Sequence, residues 1–248
     1  MLDSEIKNIH VLQSKNVKYL KKAEKILRMD LNRCLLKNDE FQLNIKTKYY
    51  SMLYSSVSES QFLQILYTPY GFDYSEIQKI EYDIRINKKG KEYRKKRSLI
   101  DSWNLIVDIA IRKVGNPETS KDLKEKKGKI KAIIKEYIEK PQELRNKIAH
   151  GQWIHAFNNE NTRENEKTSK RIKELNFIQI YIWFEIHQYL CFIIRDLIQS
   201  PKKTFHNSYW EHLSKLEEFI KRSKRWTIEG KLVELNKRKQ KTDVVTMA

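Results

Sequence analysis

The sequence predicts an all-α fold, in which the helices form a single multi-helix up-down bundle with a basic C-terminal extension. Apolar residues recur at intervals of three and four over long stretches, as in helices that bury one face. Only 6 Gly and 4 Pro occur among the 248 residues, which is few turn-forming residues for the many strands of a β-sandwich or barrel. A hydrophobic content of 40% excludes a disordered chain, and the length is sufficient to bury a large core.

The helical periodicity is interrupted at glycine, proline and short polar stretches. Asp3 or Ser4 can cap the first helix. We expect Lys140-Pro141 to interrupt a helix that starts near Ser120, and Pro141 to open a new helix, because proline is tolerated in a first turn. Ser200-Pro201 is expected to end the most apolar helix. The predicted helices are 3–36, 46–66, 74–86, 98–114, 120–140, 141–157, 177–198 and 207–221.

The C-terminal part of the sequence is less regular. Residues 228–233 could form a small hairpin, and we expect the last dozen residues to be a loose basic tail. The polar residues 158–168 are expected to form a loop. No internal repeat or linker divides the chain. We therefore expect one cooperative domain, with an N-terminal helix (1–45) on a helical core (46–200), followed by a C-terminal helix and tail (201–248).

The chain is strongly basic. A balance of 50 Lys+Arg against 32 Asp+Glu gives a formal net charge of +18, which attracts polyanions such as RNA. A general composition bias towards lysine would give the same number. The densest basic cluster of the first half is Arg94, Lys95, Lys96 and Arg97, next to Tyr93. Both a solvated loop and a contact with the RNA backbone fit this cluster.

The cysteine pattern and the N-terminus indicate a soluble cytoplasmic protein. Cys34 and Cys191 lie far apart in apolar helical patterns, so we expect two buried free thiols in a reducing compartment. The first residues show no signal peptide. The segment 177–198 is apolar enough to suggest a membrane span, but Glu185 and Arg195 within it would be costly in lipid. We predict a buried helix and no membrane.

Several common catalytic and metal sites are absent from the sequence. It contains no glycine-rich phosphate loop, no Gly-x-Ser-x-Gly elbow and no His-Glu-x-x-His. No Cys-x-x-Cys pair is present that could complete a zinc site with the histidines, and no Asp-x-Asp cluster occurs. We therefore expect neither a metal nor a cofactor. The histidines are His10, His150, His155, His187, His206 and His212.

One stretch, Leu-Arg-Asn-Lys-Ile-Ala-His-Gly over residues 144–151, offers groups suited to chemistry. At about 100° per residue, Asn146 and His150 share a helix face, and the long side chain of Arg145 can reach it. Leu144 and Ile148 are spaced to pack inward, which would turn the polar groups outward. Imidazole transfers protons near neutral pH, and guanidinium matches the oxygens of a phosphate.

An imidazole and a guanidinium are the kinds of group that cleavage of RNA without a metal requires. A base takes the proton of a ribose 2′-OH, which attacks the adjacent phosphate, and an acid protonates the departing 5′-oxygen. A single histidine cannot easily serve as both acid and base. A symmetric dimer would bring two copies of His150 together, and the apolar helix 177–198 is a candidate interface.

Residues 145–150 resemble the signature of the HEPN superfamily, in which an arginine precedes a histidine by several residues in an all-helical domain. The resemblance is close over 141–157 and general over 46–200. It implies a dimeric, metal-independent endoribonuclease that leaves a 2′,3′-cyclic phosphate, with roles in antiviral defence or as a toxin controlled by an antitoxin or another regulatory protein. It makes Arg145 and His150 the catalytic pair, with Asn146 in support.

Some residues depart from the superfamily pattern or lie beside it. One toxin subtype, which is regulated by nucleotidyl transfer, has a tyrosine two residues after the histidine, where this chain has Gln152. That mode of regulation is therefore doubtful here. Glu59 could add a polar group from a neighbouring helix, although a solvated side chain is the simpler interpretation. Trp153 and His155 are expected to complete packing rather than to bind substrate.

The same residues also fit a second class of function. A helical RNA-binding or protein-interaction module could keep the motif and the basic surface without cleaving RNA. A DNA-associated or purely structural helical protein is a third possibility.

Overall fold

The computed structural model of the chain describes residues 3–86, 91–199 and 205–246. Helices dominate these residues and pack as an all-α bundle with one small β-hairpin, which confirms the predicted fold class. The bounds are α1 Asp3–Leu36, α2 Glu40–Leu66, α3 Tyr74–Glu81, β1 Tyr82–Ile86, β2 Glu92–Lys96, α4 Leu99–Val114, α5 Lys121–Ile134, a π-helical segment Lys135–Glu139, α6 Lys140–Ala149, α7 Glu166–Lys173, α8 Phe177–Gln199, α9 Phe205–Ser223 and α10 Ile228–Thr246.

Short polar side chains fix the starts of several helices. A side-chain oxygen just before the helix accepts a hydrogen bond from a backbone N–H of the first turn, which would otherwise lack a partner. Asp73 and Glu76 form a complete capping box at the start of α3. The other side-chain caps of this kind are Asp39 before α2, Ser98 before α4, Ser120 before α5 and Asn165 before α7.

Helix α8 lies at the centre of the bundle and packs against α2, α4 and α9. Buried residues occur along its whole length, from Phe177 to Ile198. Among the residues that the structure describes, α8 is the one helix long and apolar enough to cross a membrane, and more than half of that stretch is buried inside the bundle. No large apolar side chain of α8 is exposed in the described chain. The bundle itself covers the helix, which supports the central position of α8 rather than a free face for a partner subunit. Dimerisation of the chain stays a prediction.

The core consists of two hydrophobic clusters that α8 connects. The first, the α4 cluster, contains Trp103 of α4 and the C-terminal half of α8. The second, the α6 cluster, contains Leu144 and Ile148 of α6 together with the N-terminal end of α8. Tyr137 packs against both clusters. The helix that holds the Arg-Asn-x-x-x-His motif is thus anchored in the second cluster.

The chain passes Pro141 without leaving the helix, so the predicted interruption at Lys140-Pro141 is wrong. The five residues before Lys140 form a π-helical turn, in which the N–H of Lys140 donates to the carbonyl of Lys135. Proline has no N–H, so it cannot bond the carbonyl of Tyr137, four residues earlier. The buried hydroxyl of Tyr54 on α2 donates to that carbonyl instead. Helix α2 therefore supplies the hydrogen-bond donor for the Tyr137 carbonyl that Pro141 cannot supply.

Three other predictions of local structure are also wrong. Residues 82–86 form β1 rather than the end of a helix, and they pair antiparallel with β2, with Ile84 opposite Arg94. Residues 87–90, between the strands, lie outside the described residues. The stretch 228–233, predicted as a hairpin, and the predicted loose tail are largely covered by α10. Ile228, Leu232 and Leu235 pack against the α6 cluster, and this contact favours the helix.

Several predicted boundaries also move. Helix α2 starts at Glu40, six residues before the predicted start at 46, so the proposed domain boundary at 45 falls inside a helix. The predicted loop 158–168 ends earlier, because α7 starts at Glu166. The expected stop at Ser200-Pro201 lies outside the described residues. Cys34 and Cys191 are both buried and free, as predicted. The division of the chain into domains stays a prediction.

We expect Tyr54→Phe to lower the free energy of unfolding by about 1–3 kcal/mol, because it leaves the buried carbonyl of Tyr137 without a partner. The ring keeps its contacts with Trp183 and Phe184. Tyr49→Phe is the matched control, since Tyr49 is 49% exposed, and it should change stability by less than about 0.5 kcal/mol. Urea unfolding measures both, and equal stability of the two variants would contradict the role of the Tyr54 hydroxyl.

Candidate functional site

The Arg-Asn-x-x-x-His motif occupies the C-terminal turns of α6. Leu144 and Ile148 are buried in the α6 cluster, with 3% and 1% of their surface exposed, and they fix the rotation of the helix. Asn146 and His150 are exposed, and Arg145 is half-buried. The predicted division into an inward apolar face and an outward polar face is confirmed.

Asn146 contacts the Arg145 side chain and is joined to His150 through the helix backbone. The Arg145 guanidinium donates from Nη1 to Oδ1 of Asn146 over 3.1 Å. The backbone N–H of His150 donates to the carbonyl of Asn146 over 3.2 Å. The imidazole of His150 forms no hydrogen bond or ion pair with any described residue. The amide thus orients the cation, while both imidazole nitrogens stay open to another molecule.

His150 ends its helix, whereas the sequence placed it inside a helix running to residue 157. Its own φ and ψ are −89° and 19°, and Gly151 follows in the left-handed region with φ +80°. The N–H of Gly151 donates to Ile148 and that of Gln152 to Lys147. This pair of bonds is the Schellman arrangement that closes many helices. Gly151 therefore has a structural role, and the imidazole stands at the exposed end of α6.

The chain beyond Gly151 folds back along the end of α6. The indole N–H of Trp153 donates to the carbonyl of Ile148 over 2.9 Å, and its ring meets Tyr49 edge-on. The ammonium of Lys147 donates to the carbonyl of Phe157 over 2.6 Å. Gln152 accepts a hydrogen bond from the N–H of Phe157 over 2.9 Å. Trp153 thus completes packing, as predicted, and these bonds hold the following loop in place.

This loop and α6 enclose a polar groove of about 960 Å³ next to His150. The groove is rich in amide side chains, which can both donate and accept hydrogen bonds. Lys147 supplies a positive charge and Glu143 a negative one. Arg145 is not among the lining residues. The residues that line the groove are Glu143, Asn146, Lys147, His150, Gln152, Phe157, Asn158, Asn159 and Asn161.

Other residues considered from the sequence lie outside this groove. His155 is exposed and pairs through Nδ1 with Oε1 of Glu164 over 2.7 Å, and this hydrogen bond lowers the pKa of the Glu164 carboxyl. Glu59 is exposed in a depression that it shares with Gln13 and Tyr19 of α1. His187 is buried beside Gln61, and burial lowers the pKa of its imidazole to about 3. None of them joins the motif.

Arg94, Lys95 and Lys96 of the basic cluster lie on the exposed strand β2 rather than in a loop, and Arg97 follows the strand directly. Arg94 donates to Gln78 over 2.7 Å, and Arg97 pairs with Asp83 over 3.2 Å. Contact of this strand with RNA stays a prediction. In the part of the chain that the structure describes, no three His, Cys, Asp or Glu side chains come together in a group that could hold a metal ion.

No protein-family model, curated protein or solved structure matches the chain. The resemblance to the HEPN superfamily therefore depends on the motif and on the helical pattern around it.

The left-handed conformation of Gly151 can be tested by two Gly→Ala substitutions that should change the free energy of unfolding in opposite directions. Gly151→Ala puts a side chain at φ +80° and should lower the free energy of unfolding by about 1 kcal/mol, although its Cβ would meet no neighbour within 4 Å. Gly128→Ala, also without a neighbour within 4 Å but inside α5, should raise it by about 0.5–1 kcal/mol. Urea unfolding measures both, and a stabilising Gly151→Ala would contradict the left-handed conformation.

Proposed function

We propose that the chain is a metal-independent endoribonuclease of the HEPN type. The observation that supports this most directly is the position of Asn146 and His150 at the exposed end of α6 beside a polar groove, with Arg145 held by Asn146. The groove offers a place for a strand, and the unpartnered imidazole offers a proton acceptor beside it. The net charge of +18 favours the approach of RNA.

Each residue of the motif has a distinct task in this proposal. The imidazole of His150 accepts the proton of a ribose 2′-OH, whose oxygen then forms a bond to the adjacent phosphorus. The bond from phosphorus to the 5′-oxygen breaks, and an acid delivers a proton to that leaving oxygen. The products are a 2′,3′-cyclic phosphate and a 5′-hydroxyl. The guanidinium of Arg145, held by Asn146, stabilises the charge that develops on the phosphoryl oxygens.

The acid of this reaction is assigned to His150 of a second copy of the chain. One imidazole per chain cannot be the base and the acid of a single turnover without exchanging protons, and the exposed His150 leaves room for a second copy to approach. A composite site of this kind needs a homodimer built on a face other than α8. Sedimentation should then give twice the chain mass of 30.0 kDa, and full activity of a strict monomer would contradict the composite site.

The biological setting proposed here follows from the resemblance alone. A cytoplasmic ribonuclease of this type would act in antiviral defence or as the toxin of a toxin–antitoxin pair, with an antitoxin or regulatory protein as its partner. Fold-level similarity does not fix these roles, because one architecture serves many functions.

RNA cleavage in the presence of EDTA tests the proposal. The wild type should cleave single-stranded RNA under chelation, and Arg145→Ala and His150→Ala should each lose at least about 100-fold in rate. His155→Ala is the matched control, because His155 is another exposed histidine that lies outside the groove, and it should keep its activity. Thermal unfolding confirms that each variant is folded. Equal cleavage by wild type and His150→Ala would contradict the proposed base.

A second candidate function is a helical RNA-binding module that does not cleave. It is favoured by the Schellman closure at Gly151, because this closure explains the glycine next to His150 without any catalysis. The same assay separates the two functions. RNA that is bound by the wild type but stays intact under every condition would support the module.

A further inference from the structure

A second cleft, of about 470 Å³, lies where α1, α8 and the start of α10 meet. Its walls come from Arg28 and Asn32 of α1, Tyr181 of α8, and Arg225, Trp226 and Gly230 at the α9–α10 junction. None of the residues that line it belongs to the motif or to the groove beside His150. It is therefore a separate site, although both sites are attached to the α6 cluster.

The cleft has an excess of positive charge. Arg28, Arg225, Lys231 and Arg238 line it, against Glu234 as the one acidic lining residue. Glu234 pairs with Lys231 over 2.9 Å and also with Arg238, and Glu24 pairs with Arg28 over 2.9 Å. Arg225 forms no ion pair with any residue that the structure describes. Its guanidinium is the group most available to an anion, and a guanidinium fork fits phosphate oxygens.

Aromatic rings lie next to these charges. Trp226 is 38% exposed, and its ring is nearly parallel to that of Tyr181, with the centroids 6.2 Å apart and the planes at 13°. The guanidinium of Arg28 lies 5.2 Å from the centroid of the Tyr181 ring. Tyr181 is thus already in contact with Trp226 and Arg28, and the exposed part of Trp226 is the aromatic surface left for a nucleobase to stack on.

A polar group without a partner completes the cleft. Oδ1 of Asn32 is buried and accepts no hydrogen bond from any described residue. Leaving a buried acceptor unsatisfied is costly, and rotation of the amide towards the cleft that Asn32 already lines would let a ligand donate to it and remove that cost. An asparagine amide is also a common partner for the polar edge of a base.

We propose that this cleft binds a nucleotide unit, with its phosphate on Arg225, its base against Trp226 and a polar edge of the base at Asn32. Few ligand classes other than nucleotides combine a phosphate, a flat ring that can stack and a polar edge that can bond an amide. The unit could be a free nucleoside phosphate or one residue of a single-stranded RNA. This binding goes beyond the proposed cleavage and does not depend on it, because the two sites share no lining residue.

Three substitutions and two controls test the cleft in the full chain. Arg225→Glu removes the available cation, and Lys224→Glu makes the same charge change on an exposed neighbour that does not line the cleft. Gly230→Leu fills the cleft from the first turns of α10. Gly230→Ala is its control, because the added Cβ would meet only Oγ1 of Thr227, at 3.5 Å. Asn32→Leu removes the unpaired amide.

Calorimetric titration is done with adenosine monophosphate and, separately, with a short oligoadenylate on the His150→Ala background, so that cleavage does not interfere. We expect Arg225→Glu and Gly230→Leu to weaken binding by about ten-fold or more, with a smaller loss for Asn32→Leu. Lys224→Glu and Gly230→Ala should bind within about two-fold of the parent chain. Thermal unfolding checks that all five variants are folded.

The two ligands distinguish the source of the nucleotide. Monophosphate binding that is lost in Arg225→Glu and Gly230→Leu assigns the cleft to free nucleotides. Oligoadenylate binding lost in the same two variants, without monophosphate binding, assigns it to an RNA strand. The proposal is overturned if neither affinity depends on Arg225 and Gly230, or if Lys224→Glu weakens binding as much as Arg225→Glu does. A chain that binds nucleotide here but cleaves no RNA would contradict only the proposed cleavage.

Discussion

The hydrogen bond from Tyr54 of α2 to the carbonyl of Tyr137 determines how α6 enters the bundle. Pro141 cannot donate to that carbonyl, and an unsatisfied carbonyl in the core would favour a break in the helix. Because α2 supplies the donor, the helix continues through the π-helical turn into α6. Leu144 and Ile148 then anchor α6, and the motif points away from the core. The position of His150 thus depends on a residue almost a hundred positions earlier.

The sequence predicted the parts of the fold that depend on local periodicity and capping. The predicted bounds of α1, α4 and α8 agree with the structure to within one residue, because apolar spacing defines these helices. The prediction at Pro141 was wrong because the compensating donor is distant in sequence. The end of α6 could have been predicted, since a glycine after the last periodic residue is a common stop signal. The helix α10 depends on packing of its apolar residues against the α6 cluster, which local propensity does not reveal.

The candidate site likewise has residues that local spacing predicted and residues that depend on contacts between distant segments. Arg145, Asn146 and His150 were singled out from their spacing, and the exposed positions of Asn146 and His150 agree with the predicted helix face. The amides of the loop after Gly151 that line the groove were not identified, because Lys147 donates to the carbonyl of Phe157 and Gln152 accepts from its N–H, and these bonds fold the loop back. The cleft between α1, α8 and the start of α10 was also missed, since its lining residues come from segments that are far apart in the sequence. Hydrophobic periodicity identifies residues on one face of a single helix, whereas a site between helices can be identified only when their packing is known.

The proposed cleavage uses the ribose 2′-OH as its nucleophile, and a single atom of the substrate therefore tests it most directly. An RNA strand would carry one 2′-deoxynucleotide immediately 5′ to a bond that the chain cleaves, and it would be incubated with the wild type in EDTA. We expect cleavage at that bond to disappear, while neighbouring bonds are still cut and leave 2′,3′-cyclic phosphate ends. Equal cleavage at the 2′-deoxy position would contradict the mechanism, because no 2′-oxygen would be present to attack the phosphorus.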